Sequence, residues 1–286
     1  MTGHAAVTLA TLAGAVLATS DVPGIVVGEA GWHRVAAGES VVSITARVGL
    51  EPSTLAFDND VRADRPLAAE SWLLVDNRHI VPMPLDGIVV NVPQRMLHLA
   101  VDGRHVLSVP VAVGRADWPT PLGSFAVAMK EVDPTWDVPP SIQAEMAREG
   151  RPVVIRVAPG PRNPLGDRWI GLNASNLGIH GTNQPTSIYR FTTHGCIRAR
   201  PDDIARLFPL VDVGTPVRVI YEPVLIAELQ SGEVWLEVHR DPYRKAADRL
   251  GAARELLQAA GLSELASSPL VEAIVRAQRG RAERLR

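Results

Sequence analysis

Apolar residues in this chain follow two periods. Between residues 41 and 48 they fall at Val41, Ile44, Thr45 and Val48, the spacing of one helix face. Ala37-Gly38-Glu39-Ser40 just before reads as a turn that also caps this helix, and Gly49 ends it. Glu51-Pro52-Ser53 opens a second helix in which Leu55 and Phe57 are expected to be buried. Trp32-His33-Arg34-Val35 upstream and Trp72-Leu73-Leu74-Val75 downstream read as strands. Strand, helix, helix, strand in about 45 residues is near the lower size limit for an independent domain.

From Gly87 the period becomes two, and strands are predicted over 87–92, 123–130, 153–158, 169–174, 177–180 and 216–221. Residues 95–101 and 104–113 form a predicted hairpin about Asp102-Gly103, a strong type I′ signal. A short helical stretch is read at 142–149. Pro201-Asp202-Asp203 starts a helix through Phe208, with proline in the first turn and acids at the positive dipole end. Residues 243–260 and 269–278 are Ala-, Leu- and Arg-rich helices of mixed charge, which usually face water.

The fold class that follows is a mainly β domain, antiparallel and β-sandwich-like with one or two helices. A small α+β domain precedes it and a C-terminal helical extension follows. The boundaries are 1–31 for an export segment and linker, 32–82 for the small domain, 83–222 for the β domain, and 223–286 for a strand and the helices. At 286 residues the length allows this division, and a hydrophobic content of 46% supports real cores. The net charge of −2 sets nucleic acid aside as a partner. Residues 5–18 are an apolar run ending in Val16-Leu17-Ala18, a signal-peptide pattern too short for a membrane span. The chain is therefore expected to be exported to the periplasm or cell envelope, with no integral span in the mature form.

Cys196 is the only cysteine, so no internal disulfide can form. A lone cysteine is most often buried and inert. Its neighbours argue otherwise. Gly195 precedes it and lets the backbone turn tightly, while Thr193 and His194 are too polar for a core strand. Arg190, Arg198 and Arg200 are close in sequence, and positive charge lowers a thiol pKa. His180 ends an apolar run one polar loop upstream and is the candidate general base. No Asp or Glu lies between Asp167 and Asp202, so a main-chain carbonyl is expected to orient its ring. Zinc held by His180, His194 and Cys196 is a rival use of the same atoms, disfavoured because zinc motifs usually show tighter ligand pairs. No Gly-x-Ser-x-Gly elbow supports a serine hydrolase.

His180-Gly181-Thr182 followed by Thr193-His194-Gly195-Cys196-Ile197-Arg198 resembles the signature of the L,D-transpeptidases, the YkuD-type catalytic domain. Thr120-Pro121-Leu122-Gly123-Ser124-Phe125, Asn163-Pro164-Leu165-Gly166 and Val213-Gly214-Thr215-Pro216-Val217 agree in order. Residues 32–82 resemble a LysM domain through His33-Arg34-Val35, Gly38-Glu39-Ser40, Ile44, Gly49 and the Trp72 strand. The resemblance implies an acyl transfer on peptidoglycan stem peptides. Cys196 attacks the carbonyl of the third stem residue, diaminopimelate, and D-Ala leaves. His180 takes the thiol proton and the Gly181 carbonyl orients its ring. Amides around Gly195 hold the oxyanion, and His194 supports the loop or the tetrahedral intermediate. Thr193 and Arg198 contact substrate. The acceptor is a diaminopimelate amine, the lysine of an outer-membrane lipoprotein, or water in a carboxypeptidase. A lipoprotein amidase and a retired wall-binding protein are the alternatives. No cofactor or metal is implied. Thr193 stands where the family often has Ser, and Ala199 where a larger apolar residue is usual.

Overall fold

The computed structural model describes residues 24–286. The apolar run at 5–18, expected to direct export, lies outside them. No described helix is long and apolar enough to cross a membrane.

The N-terminal part contains β1 (Val26–Val27), β2 (Ala30–Arg34), α1 (Val41–Val48), α2 (Pro52–Asp58), β3 (Trp72–Asp76) and β4 (His79–Ile80). Ser40 and Ser43 close a capping box on α1, an arrangement worth about 1 kcal/mol, and Gly49 ends the helix at φ 74°. Val35, Val41, Ile44, Leu50, Leu55 and Leu73 form the small core between the helices and the β2–β3 pair. Phe57 is not in it. Its ring is 71% exposed, with the Arg279 guanidinium 4.7 Å from the ring centre. Two positions along a helix is over half a turn from Leu55, so the two side chains cannot share the buried face.

The central part contains β5 (Ile88–Asn91), β6 (Met96–Val101), β7 (Arg104–Gly114), β8 (Gly123–Val132), β9 (Trp136–Asp137), α3 (Pro140–Arg148), β10 (Arg156–Val157), β11 (Arg168–Leu172), β12 (Gly178–His180), β13 (Phe191–Thr193), β14 (Ile197–Ala199), α4 (Pro201–Leu207) and β15 (Pro216–Ile220). Asp102 and Gly103 join β6 to β7 with φ of 50° and 71°, as a type I′ turn requires. The ladder runs β7-β14-β12-β11-β8-β15-β5-β6 and returns to β7, with β13 on the far end of β7. The long strands β7 and β8 pair into both halves, so the sheet closes on itself around Ile88, Val90, Leu97, Val109, Val111, Ile170, Ile179 and Ile197.

The sheet is mainly antiparallel, as expected, with three parallel pairings added: β15 with β5, β12 with β14, and β13 with β7. Parallel neighbours need a long crossover. Residues 181–196 supply one between β12 and β14. The strand expected over 153–158 shrinks to β10, paired only with β9. Val153, Val154 and Ile155 are exposed instead of sheltered in a sheet.

The C-terminal region is not purely helical. Strands β16 (Val224–Glu228), β17 (Val234–Val238) and β18 (Ala282–Arg284) form a sheet. Helices α5 (Arg249–Ala259), α6 (Ser263–Ala266) and α7 (Pro269–Ala277) pack on it through Leu236, Val238, Ala253, Leu257, Val271 and Ile274. Two strands precede the helices and one follows, so this part has its own core.

A buried polar junction ties the three parts together. The Glu237 carboxylate on β17 accepts from His79 Nδ1 at 2.6 Å, His239 Nε2 at 2.7 Å, Gln94 Nε2 at 3.1 Å and the Ile80 amide at 2.5 Å. His79 Nε2 donates to the Gly49 carbonyl at 2.7 Å. These donors favour the charged form of Glu237 strongly over burial.

Candidate active site

The parallel β12–β14 register builds the site. His180 is level with Arg198 and Ile179 with Ile197. Side chains alternate along a strand, so Cys196, two residues before Arg198, emerges on the same face as His180. Both line one cleft of about 650 Å³, with His194, Gly195 and Arg198.

His180 is 4% exposed. Its Nδ1 lies 2.6 Å from the Gly181 carbonyl oxygen, and the Trp169 ring stacks beside it at 5.9 Å. Burial, then the charge of Arg198, holds the ring's pKa down at about 3. With Nδ1–H donated to Gly181, Nε2 carries the ring's lone pair at neutral pH. The main chain can come this close because residue 166 is glycine. At φ 69°, a Cβ there would lie 2.7 Å from the Thr182 amide and 2.9 Å from Gly181. Asn163, fully buried, holds the same turn by donating to the Pro134 carbonyl at 2.7 Å and accepting from the Leu165 amide at 2.9 Å.

The Cys196 thiol donates to the Asn176 carbonyl at 3.3 Å. Its pKa is raised, against the expectation from the neighbouring arginines. Burial dominates, and the Gly178 main chain and Arg198 only partly offset it. Of those arginines, Arg200 faces Asp202 at 3.3 Å, and Arg198 donates to Ser187 Oγ at 2.9 Å. The cleft therefore holds a thiol and a neutral imidazole.

Thr193 lines the cleft, but its hydroxyl is used within the loop. It donates to the Cys196 carbonyl at 2.5 Å and accepts from the Gly195 amide at 3.3 Å. The Gly195 amide, expected in the oxyanion hole, faces this hydroxyl instead, because φ 105° at Gly195 turns the chain sharply there. Behind the loop, the Tyr189 carbonyl accepts from Arg95 at 3.2 Å. Arg95 also pairs with Glu51 at 2.7 Å, and its guanidinium sits 4.1 Å from the Tyr189 ring centre.

The excursion 133–166, which carries β9, α3 and β10, covers one side of the cleft with Trp136, Ile142 and Met146. It also supplies a residue that sequence reasoning missed. Glu145 on α3 accepts from His194 Nε2 at 2.5 Å and from Arg115. Trp118 meets the His194 ring edge-on at 4.8 Å. Glu145 lies about fifty residues from His194 in sequence, and no motif marks it.

His180, His194 and Cys196 do not gather as metal ligands. Among the described residues, the grouping of three such side chains is His79, Glu237 and His239. There one carboxylate oxygen sits 2.6–2.7 Å from both nitrogens, the spacing of hydrogen bonds rather than of ligands around a shared ion.

The family model of the YkuD L,D-transpeptidase catalytic domain matches residues 86–219. The chain is 37% identical over 185 residues to "Probable L,D-transpeptidase ErfK/SrfK" of Salmonella typhimurium, covering 62% of this chain and 58% of that one. It is 34% identical over 154 residues to YqjB of Bacillus subtilis, whose name also assigns it to the L,D-transpeptidases, covering 52% of this chain and 77% of that one. The solved catalytic domain from E. faecium L,D-transpeptidase aligns at 26% identity with a TM-score of 0.38, over 49% of this chain and all of that one. The chain spans under two thirds of the length of ErfK/SrfK. On the relatives' identity and coverage, this chain belongs to the YkuD family of L,D-transpeptidase catalytic domains.

Proposed function

We propose that the protein is a cysteine-dependent L,D-transpeptidase acting on peptidoglycan stem peptides in the cell envelope. The observation that carries this reading is one wall of the cleft. Cys196 shares the cleft with a buried His180 whose Nδ1 is already committed to the Gly181 carbonyl. His180 Nε2 takes the thiol proton as Sγ attacks the carbonyl of the third stem residue. The tetrahedral centre collapses, the C–N bond breaks, and D-Ala leaves with the proton that His180 returns. An amine then attacks the thioester, loses a proton to the site and frees Cys196 as thiol.

The carbonyl that orients His180 is uncharged, so it fixes the ring without stabilising an imidazolium as a carboxylate would. This suits a base that must be neutral at rest. Main-chain amides at the Gly195–Cys196 turn would stabilise the oxyanion, a contribution of about 3 kcal/mol per well-placed donor. The Gly195 amide must then exchange Thr193 Oγ1 for substrate. Arg198, whose Nε has no partner, would pair with a substrate carboxylate.

Residues 32–82 are read as a LysM-like domain. The acceptor is a diaminopimelate amine or a lipoprotein lysine. Purified protein incubated with tetrapeptide muropeptides, followed by mass spectrometry, tests the reading. Cross-linked or lysine-linked products with loss of D-Ala are expected. Water-only products would make it a carboxypeptidase, and unchanged substrate would refute the enzyme.

A further inference from the structure

Glu145 has no role in the reaction as set out above, yet it is the one carboxylate bonded to an imidazole in the cleft wall. Its side chain is 8% exposed. Arg115 and then His194 hold its carboxyl below the usual carboxylate range, so it is ionised. An ionised oxygen 2.5 Å from His194 Nε2 requires a proton on that nitrogen. Arg115 Nη1, 3.1 Å from the same nitrogen, then meets no lone pair there, while Arg115 Nη2 donates to the carboxylate. In the neutral ring, Nδ1 is left as the basic nitrogen.

The pair also links two separate pieces of chain. Glu145 is on α3, in the excursion that covers the cleft, and His194 is two residues from the nucleophile. Ile142, about one turn before Glu145, and Met146, the next residue, pack with Trp118 and Trp136. The helix is thereby held in place on both sides of the carboxylate.

We propose that Glu145 is a positioning residue for the acyl transfer, fixing the Nε2–H tautomer of His194 and holding α3 against the loop that carries Cys196. The inference rests on the transpeptidase reading for its kinetic consequence but not for its structural one.

Glu145→Gln separates the two parts of the claim. Glutamine has the same volume but only one acceptor. Its oxygen stays on the charged Arg115, and its amide then donates to His194 Nε2, forcing the ring to the Nδ1–H tautomer. Ring-nitrogen NMR on histidine-labelled protein at about pH 9, where an ordinary histidine is neutral, reads the tautomer. The proposal expects Nε2–H in the parent and Nδ1–H in the variant. It also expects kcat with a tetrapeptide donor to fall about 10- to 100-fold, as when second-layer partners of catalytic imidazoles are lost. In a His194→Gln background, Glu145→Gln should have no further effect.

An unchanged tautomer overturns the proposal, and so does a changed tautomer with kcat within about twofold. Persistence of the defect in the His194→Gln background has the same force. If the parent protein shows no turnover at all, the transpeptidase reading fails, and the NMR arm still decides whether Glu145 sets the ring.

Discussion

The pH dependence of Cys196 acylation should lack the acid limb that an ordinary histidine base would impose. His180 has a folded-state pKa of about 3, lowered first by burial and then by Arg198. At pH 5 about 1% of such rings are protonated, so nearly every molecule holds a competent base. A base with the unperturbed value of about 6.5 would be about 97% protonated at pH 5, and acylation would fall about 30-fold below its plateau. The assay is the second-order rate of acylation by a carbapenem between pH 4.5 and 7.5. It is read by stopped-flow fluorescence, since Trp118, Trp136 and Trp169 line the cleft. A rate at pH 5 within about twofold of that at pH 7 is expected. A limb centred near 6.5 that also survives in His194→Gln would refute the reasoning, because no other ring in the cleft would remain to explain it.

The same depression has a consequence for stability. His98 is also held at about 3 by burial. Both groups have folded pKa values below their unfolded ones, so the unfolded chain takes up protons first. Stability is full above pH 6.5 and falls as pH drops toward 3. At pH 5 the loss is about 2 kcal/mol per histidine, which should lower Tm by roughly 8–16 °C between pH 7 and pH 5. An unchanged Tm in calorimetry would contradict the burial argument. Gly166→Ala should cost about 1–3 kcal/mol and reduce kcat/KM more than tenfold, because the new Cβ meets backbone at Thr182 and Gly181, where His180 is anchored. A variant with parental Tm and acylation rate would show that this close approach is dispensable.

Local signals in the sequence carried well where neighbours along the chain decide the outcome. The α1 periodicity, its serine cap, the Gly49 stop and the Asp102-Gly103 turn all depend on residues within a few positions, and each is present. The pairing of β12 with β14 has no such signal. β14 has three residues, β13 has three, and their parallel partners are set by the closed sheet rather than by alternation. Phe57 was misjudged because hydrophobicity was weighed without its angle on the helix. The direction of the Cys196 pKa was misjudged for a related reason. Three arginines are visible in sequence, but burial comes from distant strands and outweighs Arg198. Glu145 is invisible for the same cause, since only the fold brings α3 to His194. Departures from what local rules suggest thus concentrate around the cleft, where non-local packing sets the chemistry.

The central claim is that Cys196 carries the acyl group of the stem peptide. The most direct measurement is the intact mass of the protein after brief mixing with a tetrapeptide donor and rapid acid quench, for the parent chain and Cys196→Ala. The account predicts a mass increase equal to the donor minus D-Ala, mapped by peptide fragmentation to Cys196 and absent in the variant. A folded parent protein that releases D-Ala without ever carrying this adduct, or an adduct that persists in Cys196→Ala, would contradict it.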